Sequence, residues 1–90
     1  MPKVKLIYGL FFSEMAGQYE GTFEFHGHTL ANLISALDRA YGEFSDELID
    51  PETGGLRTRN QIFLQRQGQK TRPFFSLDAE VHDDDTITFY

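Results

Sequence analysis

The sequence predicts an α+β domain with about five strands and one main amphipathic helix. Three observations carry this expectation. Apolar and polar residues alternate near both ends of the chain, from Lys3 to Tyr8 and from Asp85 to Tyr90. A helical stripe runs through Leu30, Leu33, Ile34, Leu37 and Tyr41. The 90 residues are enough for one small core and are expected to form a single domain over positions 1–90.

The elements follow in order. Lys3 to Tyr8 sets Val4, Leu6 and Tyr8 on one face and Lys3, Lys5 and Ile7 on the other, the pattern of a half-buried strand that Gly9 ends. Leu10 to Gly17 lacks that alternation and reads as a short helical turn or loop, with Leu10, Phe11 or Phe12 capping the core. Alternation resumes from Glu20 to His26, with Phe23 and Phe25 inward and Thr22, Glu24 and His26 outward. A spacer of about ten residues implies a wide hairpin between the two strands.

Gly27 breaks the second strand, Thr29 is placed to cap the helix, and Gly42 stands where a left-handed C-terminal cap is wanted. Asn32, Ser35, Asp38 and Arg39 lie off the stripe, so the helix should cover a sheet with one face. Glu43 to Asp50 offers a second helical turn through Phe44, Leu48 and Ile49. Asp50 to Gly55, with its proline and two glycines, is a loop. Asn60 to Arg66 makes a third strand, Ile62 and Leu64 on one face and Phe63 on the other. Gln67 to Gln69 is a turn, and Lys70 to Arg72 a short edge strand blunted by Pro73. Asp85 to Tyr90 closes the set, Ile87 and Phe89 facing one way and Thr86, Thr88 and Tyr90 the other.

Composition narrows the chemistry. Nine Phe and four Tyr supply much of the apolar volume. Without cysteine there is no disulfide, thiolate nucleophile or cysteine-bound metal. A formal charge of −6 disfavours nucleic acid. The bases nevertheless gather at Arg57, Arg59, Arg66, Lys70 and Arg72, a patch suited to an acidic protein or simply to water. No apolar run reaches the roughly 18 residues of a membrane span, and no signal peptide is evident, so a cytoplasmic location is expected.

Catalytic constellations are not evident. His26 and His28 flank Gly27 and His82 precedes three acids, a set that could make a His/Asp metal site, but the sequence does not establish their proximity, and no metal or cofactor is expected. Asp83 to Asp85 reads as a hydrated turn whose side chains bond nearby amides. The serines lie outside any nucleophile motif. The expectation is a protein that is not an enzyme.

Several segments together resemble the MoaD/ThiS family of ubiquitin-like sulfur carriers. Val4 to Tyr8 followed by Met15-Ala16-Gly17 is similar to the family's opening strand and helical turn. Gly27 to Leu30 with Leu33, Ile34, Leu37, Tyr41 and Gly42 is similar to its helix. Gln67-Gly68, and Leu77 with Asp83 to Ile87, are similar to its later turn and closing element, with Asp84 in place of a glycine. The resemblance implies the β-grasp fold: a mixed sheet of about five strands, its first and last strands parallel at the centre, with one main helix on one face.

Members of that family extend past the last strand and end in Gly-Gly, whose carboxylate is adenylated in a narrow tunnel and then thiolated. Here the sequence reads to Tyr90, so the expectation is a protein that is not thiocarboxylated as encoded. It would serve as a non-catalytic adaptor or accessory subunit of a larger protein, such as a cofactor-biosynthesis, activating or metallo-enzyme. The alternative is a sulfur carrier of molybdopterin, thiamine or related biosynthesis whose tail lies outside this chain. The implied topology would align Ile7, Phe63 and Tyr90 on the uncovered sheet face beside Lys5 and Thr88. The expected partner site is that row, with Arg66, Lys70 and Arg72 steering the encounter.

Overall fold

Alternation does build the first strand: β1, Lys3–Tyr8, buries Val4, Leu6 and Tyr8 and turns its lysines outward. The computed structural model describes residues 1–57, 62–74 and 76–90; the expected start of the third strand at Asn60 and the Leu10 side chain lie outside what is described. The segment after β1 is a full helix, α1, Leu10–Ala16, closed by Gly17 in the left-handed conformation. The expected wide hairpin is therefore two antiparallel strands joined through a helix. Phe12 enters the core, whereas Phe11 remains 52% exposed.

β2, Glu20–Glu24, pairs antiparallel with β1. The main helix, α2, Leu30–Tyr41, buries Leu30, Leu33, Ile34 and Leu37. Tyr41, last of the stripe, is only at the margin of the core. Thr29 caps α2 as expected, and Asn32 completes the cap: its carboxamide oxygen accepts from the Thr29 amide at 3.2 Å and the His28 amide at 3.1 Å. That side chain folds back over Gly27, where a Cβ would lie 2.3 Å from it, and a φ of +109° independently favours glycine. Gly42 has φ 80° and ψ 155°, not the left-handed cap expected of it; Glu43, at φ 64° and ψ 5°, takes the left-handed turn into α3, Phe44–Leu48.

The remaining strands are β3, Ile62–Gln65, β4, Arg72–Pro73, and β5, Thr86–Phe89. They complete a five-stranded sheet in the order β2-β1-β5-β3-β4. The β1–β5 pair is parallel and every other pair antiparallel. First and last strands lie side by side because α2 and the segments after it carry the chain back across one face. That is the expected β-grasp topology.

The core lies between this face and the helices: Leu6, Phe25, Leu33, Leu37, Leu64 and Ile87 are all buried, with Phe23 packed against them. At the end of β5 the core is aromatic. Tyr8, Phe12, Phe44 and Phe89 form contacts with centroids 5.4 to 6.3 Å apart. Burial, aided by Tyr41, pushes the Tyr8 phenol well above its ordinary range, so this pole holds a protonated hydroxyl and no phenolate.

Asp83 to Asp85 form the expected turn, with side chains bonding nearby amides, and Asp85 is in addition buried. Asp83 accepts from the Lys3 amide at 2.8 Å. Asp84 has φ 68°, and its amide donates to the Lys3 carbonyl at 2.9 Å. Asp85 is 1% exposed; it holds Arg66 by two bonds of 2.9 Å and accepts from the His82 amide at 2.8 Å. The turn fixes the start of β5 against β1.

Candidate functional site

The face of the sheet opposite the helices carries the candidate site. β1, β5 and β3 are adjacent, and their register sets Ile7 beside Thr88, and Thr88 beside Phe63. Glu20 flanks Ile7 at one end of this row and Pro73 flanks Phe63 at the other. Lys5, Thr86 and Gln65 form the next row. Tyr90 lies one pleat beyond Thr88, with its ring at 89° to that of Phe63 and 5.3 Å away. Ile7 and Phe63 are half-buried and Tyr90 is 67% exposed.

Sheet parity explains this face. Along β1, β3 and β5 the core takes Val4, Leu6, Tyr8, Ile62, Leu64, Ile87 and Phe89, leaving the intervening residues outside. Most of those are polar, so Ile7, Phe63 and Tyr90 stand out as apolar residues gathered on one side. Among the described residues, α1, α2 and α3 all contribute their buried side chains to the opposite face. Lys5 is 3.8 Å from Glu20, an exposed pair that leaves its ammonium accessible.

The basic residues expected beside the row are divided. Arg66 shares the parity of Ile62 and Leu64, which directs it to the helix side, where Asp85 binds it and pushes its guanidinium pKa further up. Its charge is thus engaged by Asp85 on the side of the sheet away from the row. Arg72 pairs with Leu64 in register, also on the helix side, while Lys70 is exposed between the turn and β4. Arg66 and Arg72 border a shallow groove with Leu64, Phe74, Glu80 and His82. Sequence reasoning sets Arg66 with Lys70 and Arg72 as a steering charge beside the row; continuing the strand parity by one step would place it on the helix side.

No catalytic arrangement emerges among the described residues, and no three His, Asp or Glu side chains come together around a metal position. The His28 and His82 segments are neighbours, since the Val81 amide donates to the His28 carbonyl at 2.7 Å, but His82 faces Glu80 at 3.2 Å. No described helix is long and apolar enough to cross a membrane.

No protein-family model matches the sequence, and no curated protein does. Solved structures do match. A Pyrococcus furiosus protein assigned as molybdopterin converting factor, subunit 1, is 23% identical with a TM-score of 0.69, covering 99% of this chain and 95% of that one. Small archaeal modifier protein 1 of H. volcanii is 17% identical with a TM-score of 0.68, over 99% of this chain and 95% of its own. A chain of the Amycolatopsis orientalis BexX/CysO complex is 20% identical with a TM-score of 0.74, over 97% and 92%. At these identities the likeness establishes architecture, and it agrees with the strand order: the chain has a ubiquitin-like β-grasp fold.

Proposed function

We propose that this protein is a ubiquitin-like carrier that works by docking its open sheet face on a larger protein. The observation that carries the reading is the row of Ile7, Thr88 and Phe63 with Tyr90 against it, an apolar surface on the side away from the helices. A patch of this kind, centred on aromatic residues and rimmed by Lys5 and Gln65, suits a protein interface. The structural neighbours support a carrier role, being a molybdopterin converting factor subunit, an archaeal modifier and a chain from a CysO complex.

Sulfur carriage would need a Gly-Gly extension beyond Tyr90, because activation of a terminal carboxylate in a narrow tunnel excludes a tyrosine ring. The second reading is an adaptor that docks through the same face without carrying sulfur, a role the Phe63–Tyr90 contact on that face would serve equally well. Intact mass of the protein purified from its source cells separates them. The carrier reading expects a Gly-Gly end and, after incubation with an activating enzyme, ATP and a sulfur donor, the mass gain of one oxygen exchanged for sulfur. A chain ending at Tyr90 with unchanged mass selects the adaptor.

A further inference from the structure

We propose that the outer edge of β2 is a second docking site, for an extended peptide that alternates basic and apolar residues. The edge is defined by the β1–β2 register. The Tyr8 amide donates to the Tyr19 carbonyl at 2.7 Å and the Phe25 amide to the Pro2 carbonyl at 3.3 Å. Bonded pairs alternate along an antiparallel ladder, so Gly21 and Phe23 also bond toward β1 and the backbone groups of Glu20, Thr22 and Glu24 point away. β2 ends the sheet, and among the described residues nothing pairs with that side. It is a template for an added strand.

The opposite edge does not offer the same template. β4 consists of Arg72 and Pro73, and Pro73 has no amide to donate. β2 has five residues and no proline.

Side chains specify the occupant. On the open face β2 presents Glu20, Thr22 and Glu24, all exposed. Lys5 approaches Glu20 at 3.8 Å, and no described cation is in ion-pair range of Glu24. On the helix side β2 presents half-buried Phe23, whose ring lies 6.4 Å from that of partly exposed Tyr41. An added strand would therefore set lysine or arginine opposite the glutamates and apolar residues beside Phe23 and Tyr41. β1 already meets the inner edge of β2 in this manner, with Lys3 opposite Glu24 and Val4 opposite Phe23. A second copy of this chain is a poor occupant: antiparallel pairing centred on Thr22 would set Glu20 of one copy opposite Glu24 of the other, a like-charge pair.

The probe is a synthetic peptide of alternating lysine and valine, titrated into the isotope-labelled full chain while backbone amide shifts are followed. Shifts concentrated at Glu20, Thr22 and Glu24 are expected. Thr22→Pro should weaken binding about tenfold or more, since it removes an outward amide while leaving the inner ladder bonded. In the Glu20→Lys, Glu24→Lys double variant, preference should pass to a peptide of alternating glutamate and valine, which keeps the test decisive if Thr22→Pro does not fold. Absence of binding, binding indifferent to the charge reversal, or shifts confined to Ile7, Phe63 and Tyr90 would overturn the proposal.

Discussion

Asp85 and Asp84 are consecutive acids with opposite energetic roles. Asp85 is buried and bonds both Arg66 and the His82 amide. Asp85→Ala would leave the His82 amide without its acceptor and the Arg66 guanidinium with only the Glu80 carbonyl at 3.3 Å, and should cost about 1 to 3 kcal/mol in chemical denaturation. Asp84 sits at φ 68°, a region where a Cβ is disfavoured. Asp84→Gly should stabilise the protein by up to about 1 kcal/mol, because relief of strain exceeds the added freedom of the unfolded chain. The sequence shows only a run of acids here. What separates them is the strand that Arg66 continues and the fold that brings β3 beside β5, neither of which local composition encodes.

The elements were legible where periodicity is strong. Leu30, Leu33, Ile34 and Leu37 define the buried face of α2, and alternation correctly divides β1, β3 and β5 between core and open face. Leu37 is fully buried, so Leu37→Ala should cost about 2 to 5 kcal/mol. At the start of the helix, Thr29→Ala should remove about 1 kcal/mol, both being read from denaturation midpoints. α1 was harder to read because a two-turn helix has too few residues to display a stripe. Gly42 reads as the left-handed cap because glycine accepts that conformation most readily, whereas the chain uses Glu43 for it.

For the molecule as a whole, the adjacency of β1, β5 and β3 decides the candidate site. The residue types of Ile7, Phe63 and Tyr90 can be read from the sequence, but their proximity comes from a parallel pairing between the two ends of the chain. The same topology carries Arg66 and Arg72 to the helix side, away from this row. Thus the aromatic part of the expected site remains contiguous and its basic part does not. Lys5 and Lys3 are the described β1 cations on the open face, and Lys5 is in the row next to Ile7 and Thr88. Lys5→Glu should chiefly slow association with an acidic partner and reverse its salt dependence, as rapid-mixing kinetics would show.

The most direct test is the affinity of the protein and of Phe63→Ala for the partner that copurifies with the protein from its source cells, each measured by titration calorimetry. Docking through the open face is expected to make Phe63→Ala weaker by about 2 kcal/mol, roughly thirtyfold, with its folding unchanged. Equal affinity of the two proteins would contradict it.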